Sequence, residues 1–427
     1  MRSLIHLIFY LAALSSNAQT TGNWFRAIQG SSAFSVPEGV PTLTPTSAKI
    51  LNVTDGDATD NDGWFGRQSV VVKNGIAIRS VREGSAHHIE TYGVVHFSFS
   101  NNYGLTWTAL DTYIDGSPVV GAPMRPANAG APSANARGPS HGILTLCPNG
   151  DILCQMWSSD YGNDNDGAHQ SRSTDGGHTW SNPARINISG LPVGTNANRV
   201  FFGEGYTIKG NTIYAPIRYY AVSSPQTERN GVATSIDNGY SWNFLSWVTS
   251  TSDPSPRGTQ EMSIEYVGGD RFISFLREAA NQDGHFSYSL DNCVTWSAPV
   301  DITNELGIGL TSWLGRQILM TRAHLKQQAN WWDDRVLILT GFQGGTDNQS
   351  TGARRNAAWV GIIPVDYNLA NISWYGPYWL ADEGYDGGYG CPFYNPLTGE
   401  YVQLSYRSPT GFFDASATQC NFTLTFE

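Results

Sequence analysis

The sequence predicts an all-β fold of the β-propeller type, and two observations support that prediction. The first is a turn motif that recurs along the chain, and the second is the composition. Of the 427 residues, 46 are glycine, and 12% are aromatic. This composition suits many short strands joined by tight turns better than it suits a helical protein.

The repeated motif reads Ser-x-Asp/Asn-x-Gly-x-Thr/Ser-Trp. Its four copies end at tryptophans spaced 54 to 73 residues apart, and a fifth, degenerate copy ends at Trp374. Each interval can hold one four-stranded sheet with its loops, so we interpret the units as blades around a central axis. We expect each copy to be a structural turn in which glycine has a positive φ and tryptophan covers the next strand. The four copies are 100–107, 173–180, 235–242 and 289–296, the last with Cys293 at the glycine position.

The chain divides into three parts. Residues 1–18 combine Arg2, an apolar run and a small-residue end at Ala18, which is typical of a secretory signal peptide. Residues 19–60 form an N-terminal segment that can contribute to ring closure, and residues 61–427 form the propeller. We therefore expect a secreted or periplasmic protein. The rest of the chain has no apolar run long enough for a membrane span, and we expect a monomer.

Charge and cysteine content limit the partners. The net charge of −11, with 14% charged residues and no basic run, argues against nucleic acid. Five cysteines allow one or two disulfides in an oxidising compartment, without indicating the pairing. No metal-ligand spacing or phosphate loop is present, so we predict no cofactor and no metal.

Several isolated polar residues follow the order used by one enzyme family. Arg67 opens a strand pair that ends near Arg82, and Glu261 and Arg277 begin and end another hairpin. Arg-Arg-Asn at 354–356 and Gly-Tyr-Gly-Cys-Pro at 388–392 come later in the chain. With the turn motif, which matches the Asp-box or BNR repeat, this order resembles the sialidase (neuraminidase) family. The segment after Arg67 is Gln-Ser, where that family has Ile-Pro.

The resemblance implies a six-bladed propeller and a retaining exo-α-sialidase, a glycoside hydrolase acting on sialylated glycoconjugates or other acidic glycans. It implies that Arg67, Arg277 and Arg354 bind the substrate carboxylate, and Arg355 fits the third position nearly as well. Three arginines suit this task because guanidinium groups bind carboxylates as planar, permanently charged forks. The resemblance also makes Tyr389 the nucleophile, and Glu261 the base that accepts its proton.

The expected acid is missing. The family has an aspartate shortly after the position of Arg82, but this sequence has no aspartate between Arg82 and Asp111. His88 or His87 can replace it, because imidazole titrates near neutral pH, and Glu90 or Glu83 is a further candidate. If the acid is lost, the protein is a lectin for acidic sugars. The third alternative is an enzyme for uronate-containing polysaccharides, which is either a glycosidase or a β-eliminating lyase with His88 and Tyr389 as proton carriers.

Three more residues are candidates for substrate contacts. Arg82 ends the strand pair that begins with Arg67. Trp157 precedes an acidic loop that contains Asp160, and an exposed indole there would form a platform for the leaving group. Packing in the core is the alternative role for Trp157.

Overall fold

The computed structural model describes residues 39–51, 64–84, 93–125, 136–137, 142–160, 167–203, 205–221, 227–250, 258–278, 284–302, 319–324, 332–343, 354–384, 386–408 and 416–427. These residues form a six-bladed β-propeller of antiparallel sheets, as predicted. The described helices are two 3₁₀ turns, Ala197–Arg199 and Leu369–Asn371. None of the described helices is long and apolar enough to cross a membrane.

The strands follow the blades in chain order, after a first strand, β1 (Pro41–Leu51), that belongs to the last blade. Blade 1 holds β2 (Trp64–Lys73), β3 (Ile76–Gly84) and β4 (Val94–Ser100). Blade 2 holds β5 (Ala136–Arg137), β6 (Ile143–Leu146), β7 (Ile152–Asp160), β8 (Gly167–Ser173) and β9 (Ala184–Arg185). Blade 3 holds β10 (Ile188–Ser189), β11 (Val200–Phe202), β12 (Thr207–Lys209), β13 (Thr212–Ala221), β14 (Thr227–Ser235) and β15 (Trp242–Trp247).

Blade 4 holds β16 (Thr259–Tyr266), β17 (Phe272–Glu278), β18 (Gly284–Ser289) and β19 (Val300–Asp301). Blade 5 holds β20 (Leu319–His324), β21 (Trp332–Gln343), β22 (Arg354–Ile362) and β23 (Ser373–Gly384). Blade 6 holds β24 (Asp386–Asn395), β25 (Glu400–Ser408) and β26 (Ser416–Phe426), and β1 completes it. One parallel bridge, Gly384 to Ser408, connects blade 5 to blade 6 within a single hydrogen-bonded sheet.

Both ends of the described chain meet in blade 6. β1 runs antiparallel to β26, from Pro41 opposite Phe426 to Leu51 opposite Ala417. The propeller therefore includes residues that precede position 61. Across the same closure, the Gln68 side chain of blade 1 donates a hydrogen bond to the Ser405 carbonyl of blade 6.

The hydrophobic core lies between the blades. Six clusters of buried apolar side chains occupy the interfaces 1–2, 2–3, 3–4, 4–5, 5–6 and 6–1. The interface between blades 4 and 5, for example, buries Phe275, Leu337 and Trp359. Because every blade is covered on both faces, its strands carry long runs of buried residues, and removing one blade would expose two apolar surfaces.

The repeated turns share one hydrogen-bond pattern. In blade 2, the Ser173 hydroxyl donates to Asp175 Oδ1 at 2.8 Å and accepts from the Gly177 N–H at 2.8 Å, while the Thr179 N–H donates to Asp175 Oδ1 at 2.9 Å. Gly177 has a φ of +93°, and Cys293 adopts +67° at the same position of blade 4. The turns at 100–107, 235–242 and 289–296 repeat these contacts.

The turn tryptophans pack toward the preceding blade, which differs from the expected cover on the next strand. Trp180 of blade 2 stacks on Phe97 of blade 1, with ring centroids 4.5 Å apart. Indole N–H groups donate across three other interfaces, from Trp107 to Gln419, Trp242 to Gln170 and Trp296 to Ser246. In this position the indole joins the apolar cluster between two blades, as Trp180 and Trp242 do, while its N–H still finds a polar partner.

The expected disulfides are not formed by the described cysteines. Cys147, Cys154 and Cys293 are buried free thiols, and Cys420 is also buried. They lie in apolar clusters and fill space as small hydrophobic side chains, and burial raises the pKa of Cys147 to about 12. Cys391 lies among the residues whose side chains are outside the described part.

Candidate functional site

Strand directions define two faces of the propeller. The central strand of each blade ends on one face of the propeller, which we call the site face; these strands are β3, β7, β13, β17, β21 and β25. In blade 4, for instance, Thr259 at the start of β16 pairs with Glu278 at the end of β17. The repeated turns follow β4, β8, β14 and β18 and lie on the opposite face, which we call the turn face. Loops at the site face therefore come from every blade, while the repeated turns stay away from it.

Glu261 and Arg277 form an ion pair at the site face. Arg277 Nη1 donates to Glu261 Oε2 at 2.8 Å, and the two side chains are 10% and 8% exposed. A register shift between Thr259 and Met262 turns this part of β16 out of the regular ladder. Arg277 Nε is buried and has no hydrogen-bond partner among the described residues. The pair thus leaves one strong donor unused beside a fixed carboxylate.

A second arginine-carboxylate pair lies next to the first. Arg218 of β13 binds Glu228 of β14, and Gln260 Nε2 donates to Glu228 Oε1 at 3.0 Å. Burial lowers the pKa of Arg218, but the charges of Glu228 and Glu261 outweigh it and raise that pKa. Blades 3 and 4 therefore share one charged network, and Arg218 places a second positive charge near Glu261.

The backbone places the other arginines predicted to bind the substrate carboxylate, and the predicted nucleophile, on the same face. Arg67 lies near the start of β2, Tyr389 near the start of β24, and Arg354 and Arg355 at the start of β22, next to the ends of β21 and β23. Register shifts occur at Gly66–Gln68, at Gly388–Cys391 and between Arg354 and Arg355. Such bulges redirect side chains and are common beside active sites. The side chains of these four residues are outside the described part.

In blade 1, Arg82 and Glu83 lie at the site-face end of β3 and are buried. His96 sits between two carboxylates, with Nε2 2.5 Å from Glu83 Oε2 and Nδ1 2.6 Å from Asp111 Oδ2. Glu83, one of the candidate acids, is therefore committed to an ion pair. His87, His88 and Glu90 lie outside the described residues, directly after the strand that this cluster anchors.

The cluster around His96 predicts a dependence of stability on pH. Burial opposes protonation of His96, but the hydrogen bonds and charges of Asp111 and Glu83 outweigh it and raise its pKa to about 9. Because this pKa exceeds the ordinary 6.5, the added stability is complete below pH of about 6.5 and is lost as pH rises through about 9. We expect His96→Asn to cost about 3 kcal/mol more at pH 6 than at pH 10 in urea unfolding. An equal cost at both values would contradict the charged imidazole.

Blade 2 carries two further candidates for substrate contacts, Trp157 and Asp160. Trp157 lies near the site-face end of β7, and its ring packs on Phe201 of blade 3 with centroids 4.7 Å apart. It is partly exposed, so packing accounts for most of the indole and leaves an edge at the surface. Asp160 ends β7 opposite Ala136, and its side chain is outside the described part.

The residues that support the site follow no motif that the sequence predicted. Arg218, Glu228, His96 and Asp111 were not singled out. Arg218 could have been predicted from its position, because Arg82, Arg218 and Arg277 lie near the site-face ends of the equivalent strands β3, β13 and β17. The partners of His96 carry no such signal, since Asp111 reaches it from an irregular segment beyond β4.

The fold of this chain is similar to the folds of several proteins of known structure. No protein-family model matches the chain, and no curated protein matches it. A protein of unknown function from Dyadobacter fermentans is similar in structure, with a TM-score of 0.64 and 16% identity over 91% of this chain and 100% of that one. A mutant of NanB sialidase from Streptococcus pneumoniae has a TM-score of 0.58 and 12% identity, over 88% of this chain and 71% of that chain.

A leech intramolecular trans-sialidase complexed with 2,7-anhydro-Neu5Ac is also similar, with a TM-score of 0.53 and 15% identity over 88% of this chain and 70% of that chain. At these identities the similarity concerns the path of the backbone and not the chemistry of the site. This chain has the six-bladed propeller fold that sialidases have.

Proposed function

We propose that the protein is a retaining exo-α-sialidase-like glycoside hydrolase that acts on terminal acidic sugars. The observation that carries the proposal is the Glu261–Arg277 pair on the site face, where Arg277 Nη1 holds the carboxylate and Nε stays unpartnered among the described residues. A substrate carboxylate beside Arg277 would satisfy that donor. The sialidase-like fold supports the same conclusion at a coarser level.

Each residue has a defined task in this mechanism. Arg67, Arg277 and Arg354, or Arg355 in the third position, bind the sugar carboxylate on the anomeric carbon. Because that group would repel a carboxylate nucleophile, a neutral phenol is better suited to attack. Tyr389 attacks the anomeric carbon while Glu261 accepts its proton, and the glycosidic oxygen leaves. Water then hydrolyses the glycosyl-tyrosine, so the product keeps its anomeric configuration.

The leaving oxygen needs a proton, and we propose His88 as its donor, with His87 as the neighbouring alternative. The Glu83 carboxylate is bound to His96, which disfavours it for this role. Both histidines follow the end of β3, the strand that also carries Arg82.

If His88 is the acid, its replacement has an effect that depends on the leaving group. We expect His88→Ala to lower kcat/KM by about 10²-fold or more on natural sialosides, and by less than about tenfold on activated aryl sialosides, which leave without a proton. Parallel assays of both substrates test this, and the same assays on His87→Ala test the neighbouring alternative. Equal losses on both substrates would exclude His88 as the acid.

The function itself is tested with a fluorogenic aryl α-sialoside and the purified mature chain. We expect release of the fluorophore, and proton NMR should show the α-anomer of the free sugar before it mutarotates. No release would contradict the proposal. Product with near-ultraviolet absorbance from a uronate polysaccharide would then indicate a lyase, and saturable binding without product would indicate a lectin.

A further inference from the structure

A cleft of about 860 Å³ opens on the turn face, far from the candidate active site. Three blades form it, through the β12–β13 and β16–β17 turns, the repeated turn of blade 4 and the connection between β22 and β23. Its size lies in the range of small-molecule sites. The lining is polar and aromatic, and consists of Lys209, Gly210, Thr212, Tyr214, Tyr266, Gly268, Gly269, Arg271, Asn292 and Tyr367.

Arg271 supplies a positive charge to this cleft without a direct ion pair among the described residues. Its guanidinium lies over the ring of Tyr367, 4.0 Å from the centroid, and its Nε donates to the Gly268 carbonyl at 3.2 Å. Among the described residues, no carboxylate is within ion-pair distance of it. The nearby carboxylate, Asp270, is bound by Lys209 at 2.7 Å, and Arg271 interacts with it only at longer range. The fork of Arg271 is held in place with its Nη groups available.

Neutral hydrogen-bonding groups surround that charge. Tyr214 also lines the cleft; it packs its ring on Phe272, with centroids 4.6 Å apart, and is only 8% exposed, so only a small part of the side chain reaches the cleft. Burial, with smaller effects from nearby charges, raises the pKa of Tyr214, which keeps its hydroxyl a donor. The Asn292 amide accepts from Lys209 and donates to Asp270 at the same wall, so it holds these two side chains in place. A fixed guanidinium and a phenol suit a ligand with one carboxylate and several hydroxyls.

We propose that this cleft is a second carbohydrate site, which binds a carboxylate-bearing sugar through Arg271. The cleft is larger than a single carboxylate group, and its lining offers several hydrogen-bond donors and acceptors. A sugar that carries both hydroxyls and a carboxylate therefore fits the cleft better than a small carboxylate ion does. The chain has a net charge of −11, so an anionic ligand needs a local positive group of this kind. The site is independent of the proposed hydrolase activity, since none of its residues lies on the site face.

The test titrates free N-acetylneuraminic acid, glucuronic acid, lactose and inorganic phosphate into the full chain, by ligand-observed NMR. Arg277→Gln should weaken ligand binding at the candidate active site and leave the cleft unchanged. Binding that persists in this variant therefore occurs at another site. We expect the two acidic sugars to bind Arg277→Gln, and the added change Arg271→Gln to weaken that binding by about tenfold or more. Tyr214→Phe, which keeps the ring packing, should weaken it by about threefold.

Aryl sialoside hydrolysis by Arg271→Gln alone should equal that of the unchanged chain, which also shows that the variant is folded. Acidic-sugar binding to Arg277→Gln that is unaffected by Arg271→Gln, or no such binding, would overturn the cleft assignment whatever the hydrolase assay gives. Phosphate that competes as well as the acidic sugars, or lactose that binds equally, would also overturn it, since carboxylate-bearing sugar would then not be the recognised class.

Discussion

Tyr389→Phe is expected to lower kcat for an aryl α-sialoside by about 10³-fold or more while the substrate still binds. The change removes only the phenolic oxygen, which in the proposed mechanism forms the bond to the anomeric carbon. The three arginines that bind the carboxylate are untouched, so the dissociation constant of the substrate should change by less than about threefold. Stopped assays for turnover and a thermal-shift titration for binding measure the two quantities separately.

Tyr394→Phe is the matched control for this variant. Tyr394 lies on the same strand, β24, and pairs with Tyr401 toward the turn-face end. Its ring contacts Tyr401 at 5.4 Å, so its role is in the core between blades. We expect hydrolysis by Tyr394→Phe to stay within about twofold of the unchanged chain. If Tyr389→Phe retains comparable turnover, another group is the nucleophile.

Glu261→Gln is expected to lower kcat by about 10²- to 10⁴-fold, because an amide cannot accept the tyrosine proton. The amide oxygen can still accept the hydrogen bond from Arg277, which now spans 2.8 Å, so the fold at the site face should persist. Steady-state kinetics should show the loss in kcat, with little change in KM.

Glu265→Gln is the control on the same strand. Glu265 lies toward the turn-face end of β16 and accepts a hydrogen bond from Thr207 at 2.9 Å, which a glutamine oxygen can also accept. Its turnover should match that of the unchanged chain. The combined Tyr389→Phe and Glu261→Gln variant should lose little more than Tyr389→Phe alone, because the two residues act in one step. Additive losses would show that they act separately.

The repeated turns explain why the fold was predictable from the sequence. Serine, aspartate and threonine of the Asp175 turn form the local hydrogen bonds that the motif predicts, and these depend on residues within eight positions of each other. Blades 5 and 6 lack a full copy of the motif, and the degenerate copy that ends at Trp374 is a weaker local signal for blade 5. The direction of Trp180 was predicted incorrectly, because it depends on Phe97 in a different blade.

The candidate site was predictable only in part, for the same physical reason. Glu261 and Arg277 lie on adjacent strands of one hairpin, and a local pattern is enough to bring them together. The Arg218–Glu228 pair meets Gln260 from another blade, and His96 meets Asp111 across an irregular segment. Such contacts are set by how the blades pack and are not encoded by spacing. The acid after Arg82 stays a prediction, because His87 and His88 lie outside the described residues.

The most direct test of the central claim is whether a sugar becomes covalently attached to Tyr389. Incubation with 2,3-difluorosialic acid, whose fluorines slow hydrolysis of a glycosyl-enzyme, should increase the intact mass of the protein by one sugar residue. Peptide mapping should locate that residue on Tyr389, and Tyr389→Phe should remain unlabelled. A chain that hydrolyses the aryl sialoside but carries the label elsewhere, or that is never labelled, would contradict the assignment of Tyr389 as nucleophile.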